Sequence, residues 1–129
     1  MPKTVDDLLA EARDTLDRVT AKQAHDELAD GTLVIDVRTS EQRTEYGGIP
    51  GAIPVGLNVL EWRLDPSSQW RIPQATDHAV RVIVFCQQGY SSSLAAARLQ
   101  SLGLSRATDL IGGFEAWRDA GLPVERSDP

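Results

Sequence analysis

Residues Val82–Leu99 read VIVFCQQGYSSSLAAARL. A short, wholly apolar run ends on Cys86, the only cysteine of the chain. Two glutamines, a glycine, a tyrosine and three serines follow, and then an alanine-rich segment of helical character. A strand apolar on both faces belongs in a parallel sheet covered by helices on either side. In open sheets of that kind, active sites gather at the carboxyl ends of the strands. The stretch therefore implies an α/β fold, with its one thiol at the position where such a fold carries out chemistry.

The flanking sequence extends this pattern. Val5, Leu8, Leu9, Ala12, Leu16 and Val19 recur at helical spacing, so a helix capped by Thr4 is expected over 4–19, with Asp6 and Asp7 in its first turn. Thr20 and Gln23 form a capping box for a second helix that Gly31 ends. Leu33–Val37 reads as a strand, and Thr39 with Gln42 opens a short helix that stops at Gly47 and Gly48. Ile49–Val55 reads as a turn into a brief strand, Asn58–Leu64 as one or two helical turns, and 65–78 as a loop. Val80–Phe85 is the strongest strand, Ser91–Leu102 a helix, Ala107–Ile111 a fourth strand and Gly113–Ala120 a last helix. Residues 1–19 read as a helix appended to a domain over 20–125, with 126–129 as a flexible tail.

The 129 residues suit one domain, with 41 % hydrophobic and 25 % charged residues. Thirteen basic against nineteen acidic residues leave a net charge of −6, the wrong sign for a nucleic-acid binder. One cysteine supplies neither an internal disulfide, nor a CxxC pair, nor a zinc knuckle, and it suits a reducing compartment. The acidic N-terminus lacks the apolar core of a signal peptide, and no apolar run is long enough to cross a bilayer. The expected setting is the cytoplasm, with neither nucleic acid nor membrane as partner.

Cys86 has two readings. Buried free cysteines are commonly inert small hydrophobes. Against that stands the loop Gln87–Ser91, whose Gly89 allows several N–H groups to aim at one point, backed by the positive end of the next helix. A thiol so placed has a depressed pKa. Ser91, Ser92 and Ser93 are candidates to cap the helix and to donate hydrogen bonds to the sulfur.

Four motifs, in order, resemble the rhodanese-like domain family. Val34–Arg38 with Thr39-Ser-Glu41 is similar to its first-strand motif, and Glu45–Ala52 (EYGGIPGA) to its HIPGA segment. Val82–Ser92 resembles its active-site strand and loop, and Leu110–Trp117 with Gly121–Val124 its closing helix and tail. The resemblance spans about residues 20 to 125. It implies a three-layer fold with a central parallel five-stranded sheet and helices on both faces. It further implies a sulfurtransferase in which Cys86 carries a persulfide, cradled by Gln87, Gln88, Gly89, Tyr90, Ser91 and Ser92, with Asp36 and Arg38 in support. The chemistry so implied moves sulfur from a donor such as thiosulfate to cyanide or a thiol, small or protein-borne, and needs no metal or other cofactor.

A cysteine phosphatase requires an arginine after five intervening residues, to clamp phosphoryl oxygens; that position is Ser92, and no basic residue lies between Cys86 and Arg98. Two departures from the family pattern stand out. Gly48 replaces the histidine before Ile-Pro-Gly-Ala, and the loop carries Gln87 and Gln88 without a cation. They keep open a second class of function, a sulfur-carrier or regulatory module with little turnover. Arg63 and Arg71 are candidates to reach the pocket, and Trp62 and Trp70 to roof it. Trp117 reads as core, and His25 and His78 as exposed bystanders. Asp36 is expected to bond backbone near the loop, and Arg38 to pair with Glu41 or another acid.

Overall fold

Alternation along one strand sets the layers. In a computed structural model that describes residues 1–126, β3 (Val82–Phe85) is fully buried. Val82, Val84 and Cys86 face one core; Ile83 and Phe85 face the other. β3 pairs in parallel with β1 (Leu33–Asp36) on one side and β4 (Ala107–Asp109) on the other. β2 (Ile53–Pro54) adds to the far edge of β1, giving the order β2-β1-β3-β4.

The capping boxes predicted at Thr20 and Thr39 form, and the predicted Thr4 cap forms as a third box completed by Asp7. Thr4 caps α1 (Val5–Asp14), Thr20 caps α2 (Ala21–Ala29) and Thr39 caps α3 (Ser40–Tyr46). A 3-10 turn (Leu57–Val59) runs into α4 (Leu60–Leu64). α5 (Ser91–Ser101) follows the Cys86 loop, and α6 (Gly113–Asp119) closes the fold. α5 packs on β3 and β4, with α1 and α4 against it; α2 packs on α6 and β1. The core under α5 is built from Leu60, Leu64 and Leu99; the opposite core holds Phe85, Phe114 and Trp117. Trp117 lies in the core as expected, its Nε1–H donating to the Pro123 carbonyl at 2.7 Å.

Three expectations are corrected. The first helix ends at Asp14 rather than Val19; Thr15 caps it, its hydroxyl donating to the Ala12 carbonyl at 2.9 Å. Val19 is instead extended: its N–H donates to Asp109 O at 3.1 Å and its carbonyl accepts from Ile111 N at 2.8 Å. The sheet accordingly has four strands, not five; beyond β4 stands only this single bridge between Val19 and Leu110. His25 is half-buried, edge-on to Trp117 with centroids 5.5 Å apart, rather than an exposed bystander. The expected tail 126–129 begins with Arg126 held to the Glu45 carbonyl at 2.9 Å; the rest lies outside the described residues.

Ile83 is fully buried between its neighbours in β1 and β4. Ile83→Ala should lower the unfolding free energy by about 2–5 kcal/mol, read as a reduced urea midpoint at unchanged slope. A loss under about 1 kcal/mol would contradict the close packing described.

Candidate active site

Cys86 follows the last residue of β3, at the carboxyl ends of the strands. Its side chain is 7 % exposed and opens onto a cleft of about 280 Å³ lined by Val37, Thr39, Leu57, Gln87, Tyr90 and Ser91. A larger hollow of about 540 Å³ sits at the opposite, amino-end edge of the sheet, around Glu27, Arg81 and Arg106. No cysteine, serine or histidine lines it, and Glu27 and Arg81 are already joined there at 2.8 Å. The smaller cleft is the one that holds the cysteine.

The loop after Cys86 is turned with its carbonyls outward. Cys86 O accepts from Phe114 N at 2.9 Å and Gln87 O from Glu115 N at 3.1 Å, both at the start of α6. Gly89 O accepts from Arg13 Nη2 at 2.8 Å and Arg18 Nη2 at 3.1 Å. Gly89 adopts φ +88°, and its N–H donates to Cys86 Sγ at 3.2 Å. The approach of α6 depends on Gly113: at φ +62°, a Cβ there would collide with Cys86 O and lie 2.8 Å from Gly89 N.

Burial pushes the Cys86 thiol up. The hydroxyls of Ser92 and Ser91 and the N–H groups of Ser92 and Gly89 act the other way, and the balance falls below the ordinary thiol value. Ser92 Oγ also lies 2.8 Å from Asp109 Oδ2, and one hydroxyl proton cannot serve sulfur and carboxylate together. The Gly89 N–H, with no competing acceptor, is the firmer of these bonds.

The sequence-derived residues fall in distinct places. Gln87, Tyr90 and Ser91 line the cleft together with Gln88, and Ser92 is buried behind the sulfur. No serine side chain caps α5: its N-cap is Tyr90, and Ser93 donates to Asp109 at 2.8 Å instead. Asp36 accepts the Arg38 backbone N–H at 3.0 Å and also pairs with the Arg38 guanidinium at 2.8 Å, which takes the place of a pairing with Glu41. Arg38 further donates to Gln87 Oε1 at 3.0 Å and to Gly47 O at 2.9 Å, and stacks over Phe114. Arg63 and Arg71 are spent on backbone carbonyls of their own loop, and Trp62 and Trp70 are exposed and do not line the cleft. His78 is exposed, as expected.

Arg13, Arg18 and Asp109 were not singled out from the sequence. Asp109 is fully buried and joined to Arg18 at 2.8 Å. Its one signal was a charge inside the apolar run ATDLI; two arginines distant in sequence offered none. Among the described residues no cluster of His, Cys, Asp and Glu could hold a metal ion, and no helix is long and apolar enough to cross a membrane.

The rhodanese-like domain family model matches residues 20–120. The chain belongs to the rhodanese-like domain family. A thiosulfate sulfurtransferase, GlpE, of Actinobacillus succinogenes is 33 % identical over 108 residues, covering 83 % of this chain and 88 % of that one. The chloroplastic thiosulfate sulfurtransferase 16 of Arabidopsis thaliana is 32 % identical, covering 83 % and 91 %. Among solved structures, a Rhodopseudomonas palustris protein of unknown function, termed a possible tyrosine phosphatase, superposes with a TM-score of 0.85 at 32 % identity, over 97 % and 99 % of the two chains. Rhodanese-like membership accounts for the parallel sheet, the helices on both faces and the cysteine at the end of β3.

Two measurements test this geometry. Gly113→Ala should destabilise the chain by about 1–3 kcal/mol and slow Cys86 alkylation, since backbone on both sides of the new methyl must shift. In the unaltered chain, the iodoacetamide rate should reach half its plateau below the ordinary thiol range of about 8.5. The sign follows from the thiolate being favoured in the folded state. Stability contributed by Cys86 is present above the unfolded-state pKa and lost as pH falls through the folded-state pKa. A rate still climbing through the ordinary thiol range would contradict the described hydrogen bonds.

Proposed function

We propose that this rhodanese-like chain is a sulfurtransferase that moves sulfane sulfur from a donor such as thiosulfate to cyanide or a thiol through a Cys86 persulfide. The observation that carries the reading is a lone cysteine at a strand's carboxyl end whose sulfur accepts a loop N–H at 3.2 Å and faces an open cleft. The Cys86 thiolate attacks the outer sulfur of thiosulfate. A new S–S bond forms on Cys86, the donor's S–S bond breaks, and sulfite leaves with that bond's electron pair. The terminal sulfur of the resulting persulfide is an anion, and inward-facing N–H groups with the N-terminal end of α5 stabilise it. Cyanide then attacks that terminal sulfur. Thiocyanate departs and Cys86 returns as thiolate.

The Arg38–Asp36 pair supports the site from the end of β1: Arg38 holds the Gln87 side chain, and its charge is matched by Asp36. With no second cysteine in the chain, the acceptor comes from outside, as a small molecule or a protein thiol. A chain with one functional thiol fits the reducing cytoplasm. Phosphatase chemistry, suggested by the term attached to the Rhodopseudomonas protein, lacks its guanidinium: the position is Ser92, buried with its hydroxyl on Asp109. A second reading, a sulfur carrier with little turnover, draws on the uncharged Gln87 and Gln88 at the cleft.

Incubation with thiosulfate should add one sulfur atom to the intact mass, and cyanide should remove it with release of thiocyanate. Cys86→Ser should do neither. Retention of the unaltered rate by Cys86→Ser would refute the assignment, and sulfur uptake without release to cyanide or small thiols would favour the carrier.

A further inference from the structure

The cations around the loop are unequally engaged. Arg38 is matched by Asp36, with its Nε and Nη2 on the two carboxylate oxygens. Arg18 is matched in the same two-pronged way by Asp109. Glu115 faces the loop from α6, its carboxylate 3.4 Å from the Gln87 amide nitrogen. Arg13, from α1, forms no ion pair among the described residues. Its Nη2 lies 2.8 Å from Gly89 O, its Nε 3.1 Å from Ser93 Oγ, and its guanidinium carbon 5.7 Å from the centre of the Tyr90 ring.

We propose that Arg13 is the positioning cation of the Cys86 loop, supplying from behind, through the Gly89 carbonyl, the positive charge that Gln87–Ser93 lacks. The carbonyl of Gly89 and the N–H of Tyr90 belong to one trans peptide unit and point in opposite directions. Holding the oxygen on the α1 side turns the N–H to the other side of the loop. A guanidinium on that oxygen also polarises the unit, strengthening the N–H as a donor. The adjacent peptide already donates the Gly89 N–H to Cys86 Sγ. The charged groups facing the loop are Arg13 and Arg18 from the N-terminal segment, Asp36 at the end of β1 and Arg38 just after it, Asp109 from β4, and Glu115 and Asp119 from α6, Asp119 being matched by Arg118. Of these, Arg13 is the one that offsets Glu115; without it, an anionic sulfur and a dianionic donor meet a shell of net negative charge. Arg13 lies outside the 20–120 span of the family match, so the segment before that span takes part in the site.

The donor-dependent half of the proposal rests on the sulfur-transfer reading; the thiolate half does not. Arg13→Gln keeps a donor for Gly89 but removes the charge, and Arg13→Lys keeps the charge. Arg13→Gln should slow Cys86 alkylation at pH 7 by about threefold or more, moving the pH profile upward, and should raise the KM for thiosulfate more than it lowers kcat. Arg13→Lys should recover most of both, which a purely structural role would not require. An alkylation profile for Arg13→Gln within about twofold of the unaltered chain, or an Arg13→Lys variant as impaired as Arg13→Gln, overturns the proposal. Should Arg13→Gln not fold, the unaltered profile decides: Arg13 is half-exposed, so raising salt from about 0.05 to about 0.5 M should move it upward, and a profile insensitive to salt refutes the charge role. An unaltered chain that alkylates as expected but forms no thiocyanate refutes sulfur transfer alone.

Discussion

A peptide unit carries its N–H and its carbonyl back to back, and this constraint organises the site. Directing several N–H groups at one sulfur sends the partner carbonyls outward, where each needs a donor of its own. In the Cys86 loop three carbonyls are held from outside in this way, those of the units that carry the Gln87, Gln88 and Tyr90 N–H groups: Cys86 O and Gln87 O at the start of α6, and Gly89 O at two arginine side chains. The close approach of α6 in turn demands Gly113, and the arginines demand a segment before α2 that reaches across the top of β4. Helix packing, a glycine and an N-terminal extension are thus consequences of the same demand for donors.

That arrangement also resolves an apparent contradiction in the loop's chemistry. Burial in an apolar core works against a sulfur anion, and Cys86 shares its core with Val82, Val84 and Leu99. Local hydrogen bonds overcome burial only because they converge from a short, tightly held loop. The Ser92 hydroxyl lies 2.8 Å from the buried Asp109 carboxylate, itself paired with Arg18, which leaves the Gly89 N–H as the firmer bond to the sulfur. The phosphatase alternative would need that same position for a guanidinium, with Asp109 then left without the Ser92 hydroxyl it accepts.

What could be read from the chain was local in character. The capping boxes at Thr20 and Thr39, the Thr4 cap and the doubly apolar β3 each depend on residues a few positions apart, and each stands as read. The helix expected to run on to Val19 failed because a sheet bridge to Leu110 competes for that residue, and β-branched valine suits the extended state. The serines were read as caps because Ser commonly caps helices; here a buried carboxylate from another strand draws the hydroxyls of Ser92 and Ser93 away. Arg18 and Asp109 lie 91 positions apart, and Arg13 and Gly89 76, separations at which no spacing rule operates. The place of Cys86 at the end of β3 was legible; the arginines that hold Gly89 O from the N-terminal segment were not.

The bridge at Val19 has a consequence at the level of the whole sheet. Exposed strand edges invite pairing with other chains. Here one edge is occupied at Leu110 by Val19, and the other is a two-residue strand whose Pro54 has no N–H to offer. Among the described residues the sheet therefore presents no long, unpaired ladder of backbone groups to a neighbour. A second chain would have to dock through helices and side chains, and the strands that carry Cys86 are kept out of intermolecular β-pairing.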